Sequence, residues 1–225
     1  MAGSDLGNTS AQVSNEQQET QTFAFIAMTC LFFFWGFITV LNDILIPFLK
    51  ESFDLTYFQA MLVQFSFFGA YFIVSPFAGK LIDRVGFQMG IVLGLLTTAA
   101  GCILFFPSAG LHMYSLFLFA FFVLASGITI LQVAANPYVA ALGPEKTAAS
   151  RLNLAQAANS LGTTVGPVVG AILILGAVAA DASAVQMPYL MIAAVLVLAA
   201  LLFRFIKLPV LAHVETSDEV EGDSV

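Results

Sequence analysis

Charged residues divide this chain into apolar runs long enough to cross a lipid bilayer. Uncharged stretches extend from Thr20 to Asn42, Leu55 to Gly79, Val85 to Pro144, Leu152 to Ala180 and Ala182 to Phe203. A helix crossing a bilayer needs about 20 residues at 1.5 Å rise each. The Val85–Pro144 run would reach roughly 90 Å as one helix, so it must turn. Pro107-Ser108-Ala109-Gly110 is the place the sequence offers for that turn. The expected fold is all-α and integral to the membrane, a six-transmembrane-helix bundle with helices near 23–49, 57–78, 87–106, 113–142, 150–175 and 186–206.

Composition excludes the soluble alternatives. The chain has 225 residues, 60% of them hydrophobic and only 9% charged, where a soluble domain carries roughly a quarter. Much of the net charge of −7 sits at the two ends: Asp5, Glu16 and Glu19 in front, Glu215, Asp218, Glu219, Glu221 and Asp223 behind. Residues 1–22 therefore read as a disordered polar tail, 23–206 as the transmembrane domain, and 207–225 as an acidic tail or the start of a central loop. The front tail lacks the basic stretch of a signal peptide, and the first apolar run is too long for one. With no basic patch to meet phosphates, nucleic acid is not an expected partner. Cys30 and Cys102 both lie in apolar runs and read as small core residues, not as a disulfide.

Lys and Arg set the orientation. With the N-terminus inside, Lys80, Arg84, Lys146, Arg151, Arg204 and Lys207 fall on the inner side and only Lys50 outside. That is the positive-inside pattern of a multi-pass protein of the cell (inner) membrane with both termini cytoplasmic.

Polar residues gather on helix faces at about 100° per residue. The first helix carries Trp35, Thr39, Asn42 and Asp43; the second Gln64, Phe68, Tyr71 and Ser75. The fourth carries Thr129, Gln132 and Asn136, and the fifth Asn153, Gln156, Asn159 and Thr163. Amides and hydroxyls in membrane helices often only bond across helices, each for well under about 2 kcal/mol, but four aligned stripes suggest a lined path. Asp43 is the ionisable side chain set inside an apolar run; it either reaches interfacial water or has a function. Trp35 is the sole tryptophan and sits at mid-span, where an indole fills core space or stacks on a sugar ring. Asn and Gln both donate and accept, which suits vicinal hydroxyls. The candidate substrate-binding residues are thus Trp35, Asn42, Gln64, Gln132, Asn136, Gln156 and Asn159. Gly86, Gly90 and Gly94, and again Gly162, Gly166 and Gly170, have the spacing of close helix packing. Asp43 followed by Pro47, and Gln132 followed by Pro137 three helices on, hint at an inverted repeat. Asp43 has no acidic partner, His112 and His213 lie in a loop and a tail, and no nucleophilic or metal-ligand cluster occurs. Neither an enzyme nor a cofactor or metal site is expected.

"GKLIDRVGFQMG", residues 79–90, resembles the loop motif of the major facilitator superfamily, G-x-L-x-D-R-x-G. Gly79, Leu81, Asp83, Arg84 and Gly86 match, whereas Phe87 and Gln88 stand where the motif has a basic pair. The resemblance implies a conformational latch of Gly79, Asp83, Arg84 and Gly86 on the inner face. "FFFWGFITVLNDILIPFL", "AANPYVAALGPE" and "RLNLAQAANSLG" are similar to the fucose–galactose–proton symporter family, over about residues 23–206. That similarity implies one half of a twelve-helix fold, a 3+3 inverted repeat, and secondary active transport of a hexose by alternating access. The hexose would be glucose, galactose or a fucose-like sugar, and the coupling ion a proton or sodium. The family's helix 1 aspartate falls on Asp43 as the ion-coupling residue. Its helix 4 glutamate falls on Gln132, which cannot titrate but can bond a sugar hydroxyl. Gln156 and Asn159 match positions that face substrate, and "LQVAANPY" looks more like the glucose/galactose branch. The partners so implied are the sugar, the ion, the lipid bilayer, and a second six-helix half or a homodimer mate; a fragment or truncated product is the expectation for a chain of this length. A membrane scaffold that binds a protein partner and a transporter of an amino sugar are the competing readings.

Overall fold

A helix satisfies its backbone hydrogen bonds within itself, which is what a chain in lipid requires. The computed structural model describes residues 4–172 and 185–206 and is helical through nearly all of them. Among these residues run α1 (Ser4–Ser52), α2 (Tyr57–Gly110), α3 (Tyr114–Ala141), α4 (Ala148–Gly170) and α5 (Gln186–Phe205), with a 3-10 turn at Glu145–Thr147 before α4. Four stretches are long and apolar enough to cross a membrane: Gln21–Ser52 of α1, then α2, α3 and α5. The chain is a multi-pass membrane protein.

Three boundaries differ from the sequence expectation. The front tail expected to be disordered over residues 1–22 is helical from Ser4, through Gly7, where its several Gln and Glu residues are good helix formers. The loop expected near residues 79–86 is replaced by helix, interrupted only where Gly86 takes φ 81 and ψ 165. A positive φ is open to glycine at little cost, so one residue makes the break. The turn expected at Pro107–Gly110 comes slightly later, since α2 absorbs Pro107 and ends at Gly110. The chain reverses where His112 adopts φ 48. The far end of the expected fifth helix and the acidic second tail lie outside the described residues.

Local chemistry starts α2 cleanly. Thr56 Oγ1 accepts from the Gln59 N–H at 3.3 Å, and Gln59 Oε1 accepts from the Thr56 N–H at 2.9 Å, a reciprocal capping box. Phe105 anchors the core with ring centroids 4.9 Å from Phe121, 4.4 Å from Tyr189 and 5.5 Å from Phe117. Cys102 is buried in this core and Cys30 faces outward, both as free thiols; the expectation of a core Cys30 does not hold, because its helix turns that face away from the neighbours.

Two seams bring backbones together. A Cβ on Gly162 would sit 2.2 Å from the Phe33 carbonyl oxygen of α1, and one on Gly94 would sit 2.8 Å from the Leu131 nitrogen of α3. Gly90, Gly166 and Gly170 serve the same seams, whereas Gly86 has open space around it. Its part is the break in α2, not close packing.

Candidate functional site

Side chains on α1, α2 and α3 converge in two polar groups. In the first, Gln64 Nε2 of α2 donates to Asp43 Oδ1 of α1 at 3.4 Å. In the second, Gln132 Nε2 of α3 donates to the Tyr71 hydroxyl of α2 at 3.1 Å, with the Trp35 side chain of α1 beside the same hydroxyl. Gln64 and Tyr71 are two helical turns apart on one face of α2, about 10 Å along the axis. The two groups therefore stand one above the other along the same face of α2. Trp35, Gln64, Tyr71 and Gln132 are half-buried and Asp43 is exposed, so the groups are reachable.

The other candidates take different places. Asn159 Nδ2 of α4 donates to the Phe32 carbonyl of α1 at 3.1 Å. That contact depends on Gly36, where a Cβ would lie 2.9 Å from the Asn159 amide nitrogen and 2.2 Å from its backbone oxygen. Gln156, one turn earlier on α4, is half-buried. Asn136 is half-buried with its Oδ1 shielded from solvent and unpartnered. Asn42 is only 3% exposed, and its Oδ1 accepts from the Tyr189 hydroxyl of α5 at 3.4 Å. Its Nδ2 is left without a partner. Adjacent residues on α1 thus turn to different neighbours, Asn42 to α5 and Asp43 to α2.

Several hydroxyls of the stripes are spent locally. Thr39 donates to the Trp35 carbonyl at 2.9 Å, Thr129 to Ala125 at 2.8 Å and Thr163 to Ser160 at 2.8 Å. Such back-bonding satisfies the group on its own helix.

In the motif segment, Asp83 and Arg84 are exposed, and a Cβ on Gly79 would meet nothing within 4 Å. Gln88 holds the next contact: its Nε2 donates to the carbonyls of Phe203 at 2.7 Å and Ile206 at 2.8 Å. These carbonyls lie at the end of α5, where helix carbonyls lack partners within the helix. Arg151 acts likewise at the end of α3. Its guanidinium bonds the carbonyls of Val139, Ala140, Gly143 and Pro144 and the Thr147 hydroxyl. Sequence reasoning counted Arg151 only for orientation, set Tyr71 on a polar stripe without naming it as a binding residue, and gave Gln88 and Tyr189 no site role. Long-range pairing was the missing information for each.

An apolar cleft of about 150 Å³ lies between α1, α4 and α5, bounded by Phe34, Ile38, Leu41, Tyr189, Ile192 and Leu196. Its lining offers little to a hydroxylated solute. Among the described residues no group of three or more His, Cys, Asp or Glu side chains gathers.

The class this defines is an all-helical, multi-pass membrane bundle with polar groups held between helices that are otherwise apolar. The chain belongs to the Major Facilitator Superfamily, which it matches over residues 24–222. It is 54% identical over 231 residues to a "Glucose/galactose transporter" of Brucella abortus biovar 1 (strain 9-941), covering 100% of this chain and 56% of that protein. To the "L-fucose-proton symporter" of Escherichia coli (strain K12) it is 37% identical over 245 residues, covering 96% of this chain and 56% of the other. The crystal structure of the superfamily transporter FucP in the outward conformation superposes with a TM-score of 0.77 at 38% identity, over 85% of this chain and 51% of that one. The chain spans about half the length of the curated relatives it matches.

Proposed function

We propose that this chain forms the first half of a hexose transporter that couples sugar movement to protons through Asp43. The observation that carries the reading is the pair of polar groups between α1, α2 and α3, on a chain 54% identical to a protein named for glucose and galactose. Trp35 supplies an aromatic face and Gln132, Asn136, Gln156 and Asn159 supply amides, the complement a pyranose requires. Asn42 and Gln64 belong to the same assignment, Gln64 also as the partner of Asp43. Asp43 receives an amide N–H from Gln64, and a donor so placed accommodates a carboxylate or a carboxylic acid better than a sodium ion, which needs oxygens. Protonation removes the cost of carrying a charge into the membrane and frees the helices to rock.

The architecture that goes with this reading has six crossings. Dividing α2 at Gly86 yields segments 57–85 and 87–110, and α4 becomes the fifth crossing despite its polar face. Interchanging the first three segments with the last three converts the α1–α4 pairing into a pairing of 57–85 with α3. Both exist: α4 lies along α1, and Ser66 and Tyr114 bond the Leu118 and Gln59 carbonyls across the second pair. Such an exchange is the mark of a 3+3 inverted repeat. The domain is 23–206, in the inner membrane with both termini cytoplasmic. Gly79, Asp83, Arg84 and Gly86 form an inner-face latch, and a second six-helix half or a homodimer mate closes the cavity.

Uptake of labelled galactose and glucose into vesicles carrying the complete gene product tests this. The unaltered protein concentrates sugar when the interior is alkaline. Asp43→Asn is expected to exchange sugar down its gradient without concentrating it; undiminished accumulation in that variant overturns the assignment.

A further inference from the structure

We propose that Tyr71 is itself a sugar-binding residue, a donor whose hydroxyl is oriented by Gln132. The inference rests on the hexose reading and deepens it. Tyr71 stands on α2 with its ring centroid 5.5 Å from that of Phe67 and 6.2 Å from that of Phe68, so the ring is held. Its oxygen receives the Gln132 amide N–H at 3.1 Å, and the Trp35 side chain lies beside it. The Gln132 atom facing Tyr71 is its NH₂ group, which can only donate. That N–H uses the phenol as an acceptor, and the phenol's own O–H remains.

An O–H without an acceptor inside an apolar bundle is costly. Among the described residues no further bond to this hydroxyl occurs, and the side chain is only half-buried. The remaining proton is thus directed to a solute between α1, α2 and α3, and the solute atom it meets is an acceptor: a sugar hydroxyl or ring oxygen. Gln132 is a positioning residue in this arrangement. It sets the direction of the bond, because a carboxylate in its place would accept the Tyr71 proton and withdraw it from the sugar.

Transport kinetics in vesicles carrying the complete gene product test the assignment with galactose, its monodeoxy derivatives and the matching fluoro derivatives. Tyr71→Phe should raise KM about five- to tenfold with little change in maximal rate, as expected for one lost hydrogen bond. The unaltered protein should penalise one deoxy position more than the fluoro sugar at that position, since fluorine still accepts weakly, and Tyr71→Phe should erase the difference. Gln132→Glu should raise KM similarly alone but add little on top of Tyr71→Phe. KM within twofold of the unaltered value in Tyr71→Phe, or an unchanged deoxy pattern, overturns the assignment while leaving hexose transport standing. Failure of the unaltered protein to move any hexose instead overturns the transport reading, and this assignment with it.

Discussion

The Tyr189 hydroxyl donates to Asn42 Oδ1 at 3.4 Å, tying α5 to α1 one residue away from Asp43. Both partners are buried, so removing one leaves the other unsatisfied. Tyr189→Phe is expected to lower stability by about 1–2 kcal/mol, read as an earlier unfolding transition in detergent. Sugar KM should stay the same, because Tyr189 lies against α1 and the core. A raised KM with no stability change would instead show that Tyr189 serves the sugar by positioning Asn42.

Gly162 lets α4 approach α1 to a distance that excludes any side chain, with a built Cβ 2.2 Å from the Phe33 oxygen. Gly162→Ala should cost about 1–3 kcal/mol through overpacking, seen as a lower unfolding temperature and a smaller yield of monodisperse protein. Gly69→Ala, with nothing within 4 Å of its Cβ, is the control and should match the parent.

Gln88 spans from the residue pair after the Gly86 break to the last carbonyls of α5. Gln88→Leu removes both bonds, so amide exchange over Phe203–Ile206 should quicken severalfold. Gln88→Lys returns a donor to the negative end of α5 and should recover most of the protection. Equal exchange in parent and Gln88→Leu would show that α5 ends stably without it.

Arg151 gathers carbonyls from the end of α3 and the connection that follows. In Arg151→Met those carbonyls lose a charged donor, and the 142–147 connection should open more often. Trypsin cleavage after Lys146 in detergent should then speed up about tenfold. Arg151→Lys should fall between, since an ammonium cannot reach as many acceptors in one plane.

Much of this was legible in the chain as written. The long uncharged runs required membrane-crossing helices, and Gln132, Trp35 and Gln64 were readable as inward-facing from their spacing. The Gly162 and Gly94 seams followed from small residues at every fourth position. The loop at residues 79–86 did not, because its charges read as a connection, whereas a single glycine break suffices to redirect helix. Asn42 and Asp43 could not be separated either, since they share one stripe and only the neighbouring helices distinguish them.

The sequence by itself determined that this chain lives in a membrane and which polar groups its helices carry, because run length and residue chemistry are local properties. Tertiary structure alone decided the partners: Gln64 with Asp43, Gln132 with Tyr71, Tyr189 with Asn42. Lipid is as apolar as a protein core, so hydrophobic patterning cannot say which face of a membrane helix turns inward. That choice is made where glycine lets backbones touch and where each polar atom finds an atom to bond.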